Sequence, residues 1–519
     1  MTIARAAILA ALFLFALPPI ALAQDVTLMS RDGSVEISGT LLGFDGEYYR
    51  VDTIYGELTV DGSGVNCDGP ACPSLTDYVA ELQFSGAGSM GRVLLPALIE
   101  VFARKSGLQS EREIVDASHT RFILTDQKSG KTMGLFTLRL TNSDEGFADL
   151  LANEADIAMT LRELRPDEAA LSREAGLGDM TVKGRSRVLA LDALVPVVAP
   201  GNPLTRISAS DLSKILSGEI SNWAALGGPD APVTLHLRNQ HSGLWQAADD
   251  RLLRPVGKVV SDLALRYDSD PELVRAVERD PFGIGLTSVT GTGNAKPIAL
   301  SGNCGFAMYA NRKTIKTEDY PLTAPMFLYL PARRLPKLAR DFLTFTRSNA
   351  AQIVIRRAGF TDQIPEEIAI DDQGARFANA IARSGEEIGL DELKRMVELL
   401  SDKTRLSLSF RFETGSARLD AHSRSNVEQL ALALETGAFD TRQLLFVGFS
   451  DGDGSAVSNL AISLRRAKAV LTAVKKAAET ANFEQMDLQA EAFGEAMPMA
   501  CDDSAWGRKA NRRVEVWLR

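Results

Sequence analysis

The stretch LVPVVAPGNPLTRISASDLSKILSGEISNWAALGGPDAPVTLHLRNQHSG, Leu194–Gly243, decides the fold. It opens on a valine-rich run and breaks at Asn202-Pro203. A helix-like segment then leads into ILSGEISNW (Ile215–Trp223), and a second strand-like run returns the chain to Arg238, Ser242 and Gly243. On both sides of it, from Glu81 to about Asp362, short strand-like runs alternate with helical ones, which is the pattern of an α/β architecture. That region begins with ELQFSGAGSMGRVLLPALIEVFARKSG (Glu81–Gly107). A strand runs into the loop Ser85-Gly86-Ala87-Gly88-Ser89, and a helix follows whose Leu94, Leu98, Val101 and Phe102 form one apolar stripe. Backbone N–H groups at such a loop and helix start attract an anion. A tight strand-to-helix turn accounts for the same residues.

The order of these landmarks resembles the periplasmic solute-binding proteins of the phosphate-binding, PstS-like type. FADLLANEADIAMTLREL (Phe147–Leu164) and FGIGL (Phe282–Leu286) match two further elements of that family. The resemblance implies two α/β lobes closing over a cleft. Carried over by position, the family's anion contacts fall on Ser85, Gly86, Ala87, Gly88 and Ser89, on Ser143, and on Arg238, Ser242 and Gly243. Hydroxyls and amides donate to an oxyanion, and one Arg adds a bidentate charged contact. The departures are specific. The acid that accepts phosphate's proton in the family falls at Leu161, a hydroxyl falls at Leu244, and Asp144 and Glu145 set negative charge beside Ser143. The cleft is therefore expected to bind a small anion with little selectivity for phosphate. A different anion, and a cleft that binds nothing tightly, both stay open.

From Leu406 to Arg519 the pattern is strand, helix, strand, helix, strand. QLLFVGFSDGDGS (Gln443–Ser455) is a buried strand entering a glycine-rich loop. The helix from Asn459 to Ala473 is read as packing through Leu460, Leu464, Ala467 and Leu471, with Arg466 off that stripe. GFSD (Gly448–Asp451), Asn459 with ISLRRAKAV (Ile462–Val470), AFGEAMP (Ala492–Pro498) and NRRVE (Asn511–Glu515) resemble the four ordered marks of the OmpA C-terminal, peptidoglycan-binding family. The resemblance implies a ligand, the diaminopimelate side chain of the wall's stem peptide, which ends in an ammonium and a carboxylate on one carbon. Asp451 would take the ammonium and Arg466 the carboxylate, with Ser450 beside them. The alternative is an Asp451–Arg466 pair stapling loop to helix. Asn459 serves either as helix N-cap or as a contact, and Arg512 either adds charge to the site or pairs with Glu515.

The first 23 residues, MTIARAAILAALFLFALPPIALA, read as a cleaved signal peptide, so the mature chain is expected to start near Gln24. No Cys stands at the cut, and a periplasmic, peptidoglycan-associated protein on the outer-membrane side of a Gram-negative-type envelope follows. The formal charge is −10, or −11 once Arg5 is removed, which argues against nucleic-acid binding. Residues 25 to 65 alternate at period two, so a small β unit of SH3-like kind is expected over 24–77, with the acid-and-aromatic tip Asp45, Glu47, Tyr48, Tyr49 read as a solvated turn. The substrate-binding domain is expected over 78–363. A linker with one amphipathic helix (Leu390, Leu393, Met396, Leu400) occupies 364–400, and the wall-binding domain 401–519. Cys67 and Cys72 are close enough to bridge in an oxidising compartment, and Cys304 and Cys501 either pair across domains or are buried thiols. None of His119, His236, His241 and His422 sits in a metal spacing, and no G-x-S-x-G elbow is present. No catalysis, metal or cofactor is expected. The expected partners are peptidoglycan, a small anion such as phosphate, and a transporter or envelope protein. A structural envelope protein with a vestigial solute-binding module is the alternative.

Overall fold

The computed structural model describes residues 25–75, 77–301, 307–384, 387–413, 416, 418–502 and 505–519. Residues 1–23, expected to be a signal peptide, and Cys304 lie outside the described residues. Cys67 and Cys72 are disulfide-bonded, with Cα atoms 5.8 Å apart.

The N-terminal unit is a five-stranded antiparallel sheet in the order Gly56–Asp61, Tyr48–Thr53, Glu36–Phe44, Asp25–Ser30, Val65–Asp68. Its two edge strands do not pair with each other among the described residues, so the sheet is open rather than a closed barrel. Val26, Leu28, Tyr49 and Val51 make its small core. The tip expected to be solvated is docked instead. Arg334 pairs with Asp45 and, at 3.1 Å, with Glu47, while Arg340 reaches Glu47 at 2.5 Å. The Arg334 guanidinium also lies 4.2 Å over the Tyr48 ring. The turn's two carboxylates find guanidiniums on the next domain, a partnership that local sequence does not reveal.

The central body is built on one long mixed sheet. Strands Ala80–Ala87, Leu108–Ile114, His119–Asp126, Thr132–Thr141 and Ile157–Thr160 form the first lobe, and Thr234–Arg238, Leu265–Tyr267 and Gly283–Ser288 the second. Two long neighbours, Ser186–Val198 and Thr323–Tyr329, join them. Ser186–Val198 pairs through its first half with Thr323–Tyr329 and through its last residues with Gly283–Ser288, so it runs through both lobes.

In the C-terminal body the strand order is Glu367–Ile368, Thr404–Phe410, Arg513–Leu518, Gln443–Phe449, Asp487–Gly494. Period-two alternation along Gln443–Phe449 sends Leu444 and Phe446 into one core and Leu445, Val447 and Phe449 into another. Helices Ala421–Glu435 and Ala456–Ala477 cover the first face. The second is covered by the segment expected to be a linker. It holds two helices, Gly374–Arg383 and Leu390–Leu400, whose Ala380, Leu393, Met396 and Leu400 are buried there, and its Glu367–Ile368 strand joins the sheet. An amphipathic stripe signals burial without saying against what, and here the partner is the sheet's own open face.

The central and C-terminal bodies meet through buried charge. Arg405, fully buried, forks onto Asp319 with N–O distances of 2.6 and 3.0 Å. Glu318 lies 3.0 Å from His422 and 3.6 Å from Arg411. Glu515 is held by Arg376, Arg405 and Arg513, not by Arg512. Burial would raise its pKa, but the three guanidiniums hold it well below the ordinary carboxylate range. No helix among the described residues is long and apolar enough to cross a membrane.

Candidate functional site

Two sites emerge, one in each of the larger bodies. In the C-terminal body, strand Gln443–Phe449 delivers Ser450 and Asp451 to a loop closed by helix Ala456–Ala477, whose N-cap is Ser455. Gly448 lets helix and strand meet, since a Cβ there would stand 2.1 Å from the Ser463 carbonyl oxygen. The buried face of the helix is Asn459, Ser463, Ala467, Val470 and Val474, whereas Leu460 is exposed. Of the stripe read from sequence, Ala467 is in the core and Leu471 packs against it, and the correction falls on Leu460, which faces solvent. At Ser463 a small side chain faces inward where Gly448 brings strand and helix together, and Val470 and Val474 continue the face as ordinary apolar core.

Asp451 and Arg466 are not bonded to each other. Asp451 accepts from Arg512 Nη1 at 2.5 Å. Arg466 stacks over Phe412 at 5.3 Å, and its Nη1 is buried without a hydrogen-bond partner. Burial, then the Arg512 charge, lowers its pKa against the pull of Asp451. The Ser450 hydroxyl is likewise buried and unpartnered. Asn459 is inside the helix, not at its cap, and donates to Glu495 at 2.6 Å. Around the loop stand further carboxylates. Asp502 accepts from the Gly452 N–H at 2.7 Å, and Glu387 accepts from the Ala456 N–H at 2.8 Å. Burial and these neighbours raise the pKa of Glu495. Glu387, Glu495 and Asp502 were not singled out from sequence, although Glu495 lies within AFGEAMP. The result is a loop with two buried, unused donors, Arg466 Nη1 and Ser450 Oγ, near the carboxylates of Asp451, Glu495 and Asp502.

In the central body the cleft is a cavity of about 750 Å³ between the lobes, lined by Gly88, Ser89, Arg92, Arg139, Arg238 and Asp268 among others. Ser85, Gly86 and Ala87 are the last residues of a strand rather than a loop, and a π-helical turn, Met90–Leu94, follows Ser89. Gly86 has φ +133°, and a Cβ there would stand 2.0 Å from the Met159 carbonyl oxygen.

Four of the carried-over side chains already bond within the protein, two as donors and two as acceptors. Ser85 donates its hydroxyl to Asp149. The Ser143 hydroxyl accepts from the Leu161 N–H at 3.1 Å. Arg238 pairs with Asp270 at 2.5 Å and donates to the Asp268 carbonyl at 2.7 Å. Ser242 is the N-cap of helix Gly243–Ala248 and accepts from the Trp245 N–H at 3.1 Å. Gln246, from the second lobe, places its side-chain oxygen on the first two N–H groups of helix Ser143–Leu151, 3.0 Å from Ser143 and 3.3 Å from Asp144. Sequence gave no hint of Gln246. Asp144 does not project free charge into the cleft. Against burial, Arg162 and Arg165 hold its pKa below the ordinary value. Ser89 differs from the rest, with its Oγ buried and without a partner. Among the described residues no group of three or more His, Cys, Asp or Glu is placed to hold a metal.

Two lobes on a shared sheet with a polar cleft between them define the solute-binding-protein class. The family model described as "PBP superfamily domain" matches residues 76–350, more than half of the chain, and the OmpA family model matches residues 411–512. The chain belongs to the PBP superfamily and carries an OmpA-family domain behind it. It is similar to the phosphate-binding protein PstS of Borreliella burgdorferi, 26% identical over 197 residues that make up 37% of this chain and 71% of that one. It is also similar to protein SphX of Synechococcus elongatus, 27% identical over 263 residues, 47% of this chain and 75% of the relative. Among solved structures, an ABC-type phosphate transport receptor from Vibrio cholerae aligns with TM-score 0.42 and 22% identity, covering 54% of this chain and 99% of that chain.

Proposed function

We propose that this is an exported periplasmic protein that takes up a small anionic solute in its cleft and attaches non-covalently to peptidoglycan by gripping diaminopimelate. The observation that carries the wall-binding half is the separation of Asp451 from Arg466. An α-amino-acid terminus needs an acceptor and a donor that do not cancel each other. Here Arg466 Nη1 and the Ser450 hydroxyl are unused donors for the carboxylate. Asp451, with Glu495 and Asp502 close by, supplies acceptors for the ammonium. Arg512 holds Asp451 in position until the ligand's ammonium competes for it. Charge-assisted contacts of this kind contribute ~1.5–3 kcal/mol each. The test is sedimentation of the full chain with isolated peptidoglycan, competed by free diaminopimelate. Wild-type pelleting by Arg466→Ala would sink the assignment.

The solute half is supported by the cleft and by kinship with proteins named for phosphate binding. Leu161 and Leu244 replace polar groups that a phosphate-selective site would use, so selectivity for phosphate is low. A transporter or another envelope protein is the expected receiver of the solute.

A second reading is favoured by one observation. Gln246 occupies the helix amides that an anion would use, and Arg238 is already neutralised by Asp270. On that reading the module is vestigial and serves protein contacts within the envelope. Calorimetry with phosphate, sulfate and small carboxylates separates the two. Heat with an anion supports solute binding, and silence with all of them supports the structural role.

A further inference from the structure

The charges that line the cleft are balanced, three guanidiniums (Arg92, Arg139, Arg238) against three carboxylates (Glu145, Asp268, Asp270). Four of the six are paired. Arg139 lies with Glu145 and Asp149, and Arg238 with Asp270. Arg92 and Asp268 are left, each without an opposite-charge partner among the described residues. They face the cavity from different lobes. Arg92 sits in the π-helical turn after Ser89, and Asp268 directly follows the edge strand Leu265–Tyr267.

Their surroundings are built rather than loose. The Arg92 guanidinium lies along Gly88, its Nε and Nη2 3.5 and 3.7 Å from where a Cβ would stand, an ordinary van der Waals distance. The buried, unpartnered Ser89 hydroxyl adjoins it. Asp268 is oriented by the Asn239 amide, which donates to Oδ1 at 2.9 Å. A cavity of about 750 Å³ also falls within the ~300–1,000 Å³ range of pockets that hold organic ligands.

Resting on the solute-binding reading above, we propose that the cleft takes a zwitterionic organic solute. Its anionic group sits at Arg92 and Ser89 of the first lobe, and its cationic group at Asp268 of the second. A doubly charged inorganic anion would enter a cavity with no surplus positive charge and lose its hydration without compensation. A zwitterion supplies one partner to each unpaired charge and spans the two lobes.

The test is calorimetry on the full chain with O-phosphoethanolamine, glycerol 3-phosphate, orthophosphate and β-alanine. Phosphoethanolamine is expected to bind about tenfold tighter than glycerol 3-phosphate, which lacks the ammonium. Asp268→Asn should bring that ratio close to one and leave glycerol 3-phosphate unchanged, and Arg92→Gln should weaken both. Both side chains are exposed, so neither substitution disturbs the core. Tighter binding of β-alanine than of phosphoethanolamine would keep the zwitterion and make its anionic group a carboxylate. Orthophosphate or glycerol 3-phosphate binding as tightly as either zwitterion, or a preference that survives Asp268→Asn, overturns this inference alone. No heat with any of the four overturns it together with the solute-binding reading.

Discussion

Asp451 is ion-paired with Arg512 at 2.5 Å, while Arg466, fifteen positions along the chain from Asp451, keeps a buried nitrogen without a partner. The three residues therefore have unequal roles. Asp451→Ala and Arg466→Ala should each weaken peptidoglycan pelleting of the full chain by ~10–100-fold with circular dichroism unchanged. Arg512→Ala should cost less, because it removes only the group that positions Asp451. Equal losses for all three would contradict this ranking.

Removing Asp319 strips the buried Arg405 fork of its two carboxylate acceptor oxygens and leaves it only the longer ion pair to Glu515, at 3.4 Å. Asp319→Ala should destabilise the protein by ~3–5 kcal/mol in urea unfolding, the penalty for breaking one side of a buried ion pair. For the same reason a 364–519 fragment, which keeps the helices that cover the sheet but lacks Glu318 and Asp319, should melt below the C-terminal body of the intact chain. A fragment of undiminished stability would show that the pair contributes nothing.

Stability should fall as pH rises from about 5 to 8. Burial alone would lower the His422 pKa, but Glu318 at 3.0 Å, helped by Asp420 and Glu163, holds it above the ordinary 6.5. Burial, then Asp420, pushes Glu163 in the same interface up to about 7 from 4.5. Both folded-state values are raised. Each contribution is therefore present below the unfolded pKa and is lost as pH climbs through the folded one. Glu318→Gln should flatten the upper part of this dependence in denaturant titrations at several pH values. A profile unchanged by that substitution would remove His422 as a cause.

Gln246→Ala frees the Ser143 and Asp144 amides. Orthophosphate affinity by calorimetry should then rise roughly tenfold, since a charged acceptor gains two donors at a helix N-terminus. Unchanged affinity would mean that these amides do not face the solute.

Opening the Cys67–Cys72 bridge should cost ~2 kcal/mol, because the loop it closes is short, with a sequence separation of 5. Differential scanning calorimetry with and without reductant should show the loss in the N-terminal unit, with the other transitions unmoved.

What the sequence made legible was ordered motif and period. ILSGEISNW and FGIGL pointed to the lobed body, and GFSD with NRRVE to the C-terminal one. Two of the failures share one physical origin, side chains that reach across domains or lobes. The Asp45–Glu47 tip carries no local sign of Arg334 and Arg340, which lie almost 300 residues away. Gln246 is an ordinary helical glutamine until the cleft brings it to Ser143. The Asn459 face was misread at Leu460 because hydrophobic periodicity assumes that leucines face inward, whereas contact with Gly448 selects a small residue at Ser463.

The attachments between bodies are unevenly shared. The N-terminal sheet is fastened through Arg334 and Arg340, beside or within the Lys337–Phe345 helix of the first lobe. The C-terminal body grips Arg347, just past that helix, through Glu428, and grips Asp319, just ahead of the joining strand, through Arg405. Helix Arg312–Lys316, which the chain reaches after the second lobe, is tied in turn to Asp362, Glu366 and Asp372, so the C-terminal body is a bracket footed on both sides of the cleft, whereas the N-terminal sheet hangs from the first lobe alone.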